Sequence, residues 1–138
     1  MGHKILIPTI GLPRSGKSTW SKKQGFPIVN PDSVRLALHG EAFIGSAERM
    51  IWTISYYMVG SLFLAGHDHV ILDATNLTVA RRKEWISEKW QVKYKVFKAS
   101  EKTCIDRAKK GGKHYLINVI KTMAEHIDYN VSPIYRGK

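Results

Sequence analysis

Apolar positions fall into two patterns along this chain. Short continuous runs at 4–10, 26–29 and 70–73 have the length and the near-absence of polar interruption expected of strands covered on both faces, as in a parallel sheet. Between them lie segments with helical periodicity: a first turn at 19–23, then 33–38, 47–65, 79–89, 101–110 and 115–129. Residues 92–97 alternate and predict a half-exposed strand, 66–69 a turn and 132–138 a tail. This βα rhythm predicts an α/β fold: three layers, a parallel sheet flanked by helices. Pro8 lies inside the first strand, which is normally central in such a sheet. It has no N–H to give a ladder, so a local bulge is expected there.

The segment 47–65 is apolar almost all round. Its aromatics, Trp52, Tyr56, Tyr57 and Phe63, are expected to pack in the core, with stacking on a nucleobase as the alternative reading. Its uncharged part is shorter than the ~20 residues that cross a membrane and includes Thr53, Ser55 and Ser61, which favours a buried helix. At 138 residues the chain is expected to be one domain. Cys104 has no partner for an intramolecular disulfide and the N-terminus has no signal-peptide pattern, so a reducing cytoplasmic setting is expected.

The stretch Gly11-Leu-Pro-Arg-Ser-Gly-Lys-Ser18 fits the phosphate-loop pattern G-x-x-x-x-G-K-[ST], and it sits between a predicted strand and a predicted helix as that loop must. Such a loop offers backbone N–H groups and the positive end of a helix to phosphate oxygens. Lys17 would reach the β- and γ-phosphates, and the Ser18 hydroxyl would bind Mg²⁺. ATP would be held by Gly11, Pro13, Arg14, Ser15, Gly16, Lys17, Ser18 and Thr19.

Three further sets of residues carry candidate chemistry. Asp32 opens the predicted helix at 33–38 and Arg35 follows at the spacing that lets both lean to one edge. From these residues alone they are either a plain N-cap with a surface arginine or an acceptor-binding pair. Asp73 ends a buried strand, where a second acidic group of a phosphate-loop enzyme sits, and with the polar pair Thr75 and Asn76 that follows it is expected at the substrate. Helix 101–110 runs into Lys109-Lys-Gly-Gly-Lys113, which reads as a basic lid at about 107–115 worked by Arg107 with Lys110 and Lys113. His67 and His69 around Asp68 resemble a metal fragment only faintly.

Charge narrows the acceptor. The net charge is +11, and residues 79–113 hold twelve Lys and Arg against four Asp and Glu. That concentration exceeds what ATP alone needs and points to a polyanionic second substrate.

Together these stretches resemble the kinase domain of the phage polynucleotide kinase family over nearly the whole chain. The motifs that carry the resemblance are Gly11-Leu-Pro-Arg-Ser-Gly-Lys-Ser-Thr-Trp20, Asn30-Pro-Asp-Ser-Val-Arg35, Val70-Ile-Leu-Asp-Ala-Thr-Asn-Leu77 with Arg81-Arg82, and Val96-Phe97 followed by the segment 107–113. The resemblance implies that Asp32 is the general base and that Arg35 holds a phosphate of the acceptor strand. It makes Arg107 a lid arginine, with Gly111 standing where the family usually has a second one. Lys110 or Lys113 would then supply that charge, without an arginine's bidentate fork. It implies an ATP- and Mg²⁺-dependent kinase for the 5′-hydroxyl of a DNA or RNA end, in phage or bacterial cytosol, with no phosphatase domain in 1–138. A hydroxymethylated base in phage DNA, a nucleoside and a sugar remain alternative acceptors, and a nucleotide-dependent binding or switch protein is the alternative outside enzymes.

Overall fold

The computed structural model describes residues 3–137, and its sheet is built outward from β1 (Ile5–Ile10), buried at every position after the first. β1 pairs in parallel with β3 (His69–Leu72), from Ile5↔His69 to Pro8↔Leu72, and β3 pairs in parallel with β2 (Ile28–Val29). On its other side β1 takes β4 (Gln91–Val92) and then β5 (Lys95–Val96), both parallel. The helices are α1 (Lys17–Lys23), α2 (Pro31–His39), α3 (Glu48–Leu64), α4 (Val79–Lys83), α5 (Glu101–Lys110) and α6 (Leu116–Ala124). The fold is the expected α/β arrangement, a parallel sheet flanked by helices. Of the predicted tail, Lys138 lies outside the described residues.

Pro8 acts differently from expectation. The carbonyls of Lys4, Leu6 and Ile10 accept from the N–H groups of Gln91, Lys93 and Phe97, so the even-numbered residues of β1 face β4 and β5. Pro8 falls in that row and has no N–H to offer. No bulge forms in β1; instead the predicted strand 92–97 breaks opposite it. Tyr94, in the break, turns to the C-terminal segment, donating to Pro133 O at 2.9 Å and accepting from Tyr135 N–H at 2.8 Å.

The long helix α3 uses three faces. Ile51, Ser55, Val59 and Phe63 are buried, with Val59 and Phe63 packing against Leu6, Val29, Val70 and Leu72 of the sheet. Trp52 and Tyr56 form part of one cleft wall, and Ile54 and Met58 part of another. Tyr57, expected in the core, is 68% exposed, because the helix has more apolar residues than one buried face can take. A second cluster joins Leu12 to Cys104 and Ala108 of α5 and Ile120 of α6.

Two predicted helices stop early. Residues five apart lie ~140° apart around a helix, so a helix over 79–89 running on could not bury Trp85 and Trp90 together. The chain leaves helix after α4, both indoles enter the core, and Trp90 Nε1 donates to Trp85 O at 2.9 Å. The last helix ends at Ala124 rather than 129, where the chain turns to bring Asp128 N–H to Leu77 O. The start of α2 also differs. Its N-cap is Asn30, not Asp32: Asn30 Oδ1 accepts from the N–H groups of Asp32 and Ser33 at 2.8 and 3.3 Å, with Pro31 in the first turn.

Buried polar groups fasten the C-terminal edge of the sheet. Thr9 Oγ1 donates to Ala74 O at 2.8 Å and accepts from Ala74 N–H at 3.2 Å. Asn76 Nδ2 donates to Thr9 O at 2.6 Å, and Arg82 Nη1 reaches Asn76 O at 3.0 Å and Asp128 O at 3.1 Å. Thr9→Val keeps the shape and removes the hydroxyl, leaving buried backbone groups short of a partner. It is expected to cost about 1–3 kcal/mol of unfolding free energy. A lower denaturant midpoint at unchanged slope would show this, and an unchanged midpoint would make the clamp redundant.

Candidate active site

The phosphate loop is shaped by close backbone approach. Gly11 N–H donates to Thr75 O at 3.2 Å. A Cβ on Gly11 would stand 2.6 Å from Ser15 Oγ and 3.0 Å from Phe97, so only glycine lets the loop lie against the end of β5. Gly16, at φ 103°, precedes α1 as an N-cap with no side-chain capping bond. An uncapped helix start keeps its first amides available to an anion and adds the helix dipole. Arg14, at φ 68°, is one of two non-glycine residues with positive φ among those described, the other being Asn76.

Lys17 is folded across this loop. Its Nζ donates to Leu12 O at 2.6 Å and its exposure is 8%. Burial lowers its pKa to about 8, with the charges of Asp73 and Asp32 acting in the opposite direction. Ser18 Oγ donates to Asp73 Oδ2 at 2.7 Å, and Asn30 Nδ2 stands 3.4 Å from the same oxygen. Asp73 thus ties the end of β3 to the start of α1 and to the β2–α2 junction. Asn30 joins the site although only its neighbours were expected there. Its signal in the sequence was its place before Pro31, as the cap that fixes where α2 begins.

The hydroxyl of Ser18 and the carboxylate of Asp73 are hard oxygen donors that fit Mg²⁺, which takes few protein ligands and keeps phosphate oxygens and waters. Among the described residues no group of three His, Cys, Asp or Glu could form a metal cage. His69 Nδ1 lies 2.9 Å from Asp68 Oδ1, and its ring stacks on Phe26.

Asp32 and Arg35 do lean together, with Arg35 Nη1 donating to Asp32 Oδ1 at 2.5 Å. The Asp32 side chain stays 71% exposed. Arg35 is not a free phosphate clamp. Its Nε and Nη2 form a fork on Glu48 at 2.8 and 2.6 Å, and that fork holds the Glu48 carboxyl below its usual pKa. Asn76, expected at the substrate, is 1% exposed and bonded to β1. The half-buried Thr75 offers the loop its carbonyl.

At the other side of the loop Arg107 Nη1 donates to Arg14 O at 3.1 Å, and Arg14 Nη2 reaches Arg107 O at 3.4 Å. A Cβ on Gly111 would meet Arg14 Nη2 at 2.7 Å. The space where the resemblance placed a second lid arginine is therefore occupied by a guanidinium from the loop. Lys110 and Lys113 are exposed, whereas Arg82, counted in the basic stretch, is 4% exposed and serves the backbone.

Two clefts of about 530 Å³ flank α3. One reaches Ser18, Asn30 and Asp73, with Val34, Leu38 and Met58 as an apolar wall; the other is aromatic and lies between α3 and α4. No helix among the described residues is long and apolar enough to cross a membrane.

A family model described as AAA domain matches residues 6–127. Among solved structures, the chain is similar to a chain of the Pnkp1/Rnl/Hen1 complex, with TM-score 0.69 and 25% identity over 78% of this chain and 40% of that one. In another structure, of the Pnkp1/Rnl/Hen1 RNA repair complex, the TM-score is 0.70 at 17% identity, over 100% of this chain and 50% of that one. This chain therefore spans half or less of those relatives' length. It is also similar to the APS kinase CysC of Mycobacterium tuberculosis in complex with AMPPNP and APS, with TM-score 0.61 and 16% identity over 100% of this chain and 86% of that one.

Burial of Lys17 should make nucleotide binding pH-dependent. Phosphate binds the charged amine, so below pH 8 affinity should be flat, and above it should fall by up to about tenfold per unit as the free protein loses that proton. Titration calorimetry with ATP between pH 7 and 9.5 reads this out. Lys17→Ala should bind weakly and without the step at pH 8, and the same step in that variant would assign it to another group.

Proposed function

The chain belongs to the AAA domain family, and on that footing we propose that it is an ATP-dependent kinase that phosphorylates the 5′-hydroxyl of a nucleic-acid end. The observation that carries a transfer reaction, as against a nucleotide switch, is the state of Asp32. Its carboxylate faces solvent and is oriented by Arg35, whose other donors are locked on Glu48. A carboxylate so held suits a general base for an incoming hydroxyl. The charge of +11 and the likeness to a chain of an RNA repair complex support a nucleic-acid acceptor.

In this reading Asp32 takes the proton of the 5′-hydroxyl as its oxygen attacks the γ-phosphorus in line. The new oxygen–phosphorus bond forms as the bond to the leaving ADP oxygen breaks, and the proton passes from Asp32 to solvent. Lys17 leaves Leu12 O for the phosphates, the open start of α1 binds them, and Arg107 neutralises charge developing on the transferred group. Ser18 and Asp73 would hold Mg²⁺, which would supply Lewis-acid stabilisation of phosphate charge. Arg35 acts by positioning Asp32.

The apolar wall beside Ser18 and Asp73 favours one second reading, a kinase for a small alcohol seated in that cleft. Unlabelled oligonucleotide would then fail to compete with the true acceptor.

Transfer of labelled γ-phosphate from ATP to a 5′-hydroxyl oligonucleotide tests the proposal. Asp32→Asn should lose about 10²–10⁴ in kcat with ATP binding intact, and Lys17→Ala should lose both. Full turnover in Asp32→Asn removes Asp32 from the base role, and no transfer by the wild type removes the polynucleotide acceptor. A second check is ionic strength. Acceptor affinity should fall steeply and linearly on a logarithmic scale with salt, and a flat response would exclude a basic binding face.

A further inference from the structure

The aromatic cleft between α3 and α4 takes no part in the chemistry above. It measures about 530 Å³, within the size range of small-ligand sites. Trp52, Tyr56 and Trp85 line it together with Tyr57, Arg81 and Arg49. The Arg81 guanidinium lies over the Trp52 ring at 4.1 Å from its centroid, and Tyr57 stands at the rim, 68% exposed, edge-on to Tyr56. Flat aromatic faces beside a stacked guanidinium plane are the surfaces on which an unpaired base is held.

The cleft is also wired to Asp32. Arg35 binds Asp32 with one nitrogen and Glu48 with two others, and Glu48 Oε1 in turn accepts from Trp52 Nε1 at 3.3 Å. Acidic and basic groups balance along this path, with Glu48 against Arg35 and Glu84 against Arg81 at 2.9 Å. A neutral, flat and polar-edged ligand suits that wall better than a bare phosphate does. A 5′-terminal nucleotide carries its base next to the hydroxyl that Asp32 would deprotonate.

We propose that this cleft receives the 5′-terminal nucleobase of a single-stranded acceptor, stacked against the Arg81–Trp52 pair with Tyr57 closing over it at the rim. The proposal rests on the polynucleotide reading and adds what that reading lacks, a contact that recognises the end itself. Stacking tolerates any base, so it selects an unpaired end more than a sequence.

The test uses the full chain and two 5′-hydroxyl oligonucleotides, identical except that one has an abasic first nucleotide. Wild type should show a KM about tenfold lower for the intact end, in line with the effect of removing one stacked base. Tyr57→Ala should raise that KM to the abasic value and leave the KM values for the abasic end and for ATP unchanged; Tyr57→Phe should restore it. Equal KM values for the two ends in wild type, or an equal shift of both in Tyr57→Ala, would overturn the proposal. A shift in the KM for ATP would give the cleft to the donor's adenine and overturn it as well.

Fluorescence quenching by the intact oligonucleotide without ATP separates this idea from the function it rests on. Quenching by the intact oligonucleotide alone, absent in Trp52→Phe, supports the cleft even if no phosphate is transferred. Transfer without any base-dependent quenching overturns the cleft and leaves the kinase reading standing.

Discussion

An anion-binding loop must leave backbone amides without an internal partner, and the rest of this structure is arranged to make that tolerable. The first turn of α1 has no side-chain cap, so its stabilisation comes from elsewhere. Gly11 lies against Phe97 with no room for a Cβ, its amide is tied to Thr75, and Leu12 is buried among Cys104, Ala108 and Ile120. Each contact fixes the loop from outside, while Lys17 lies across it on Leu12 O.

The same economy governs the charged groups. Lys17 is buried beside the loop and rests on a carbonyl, a position that costs part of its proton affinity but keeps the amine where phosphate arrives. Asp73, 5% exposed, is held by Ser18 and Asn30. Asn30 serves two neighbours at once, its oxygen capping α2 and its amide nitrogen on Asp73. Since α2 carries Asp32, one side chain sets both the phosphate-side carboxylate and the helix bearing the exposed one.

What could be read from the chain was whatever depends on neighbours in sequence. The loop pattern, the buried run ending at Asp73 and the helix at 101–110 are local, and the last stands where periodicity put it. What could not be read depends on partners far along the chain. The break between β4 and β5 comes from Pro8, more than eighty residues earlier, and the short α4 from two indoles sharing one core. Arg35 looks like any helix-surface arginine until Glu48 is brought to it, and Asn76 becomes internal only when β1 lies alongside. The exposed Tyr57 reflects composition: the amphipathic pattern of α3 is too weak to say which of its aromatics stays outside.

The burial of Leu12 has a mechanical consequence. α5 and α6 both grip it, through Ala108 and Ile120, so neither helix can swing without pulling the loop. The segment 111–115 between them is exposed throughout. Any closing element drawn from it is a strap sewn down at both ends, not a door on one hinge. A short strap has little chain freedom to lose when it tightens, so ordering it over a bound phosphate draws little from the binding energy.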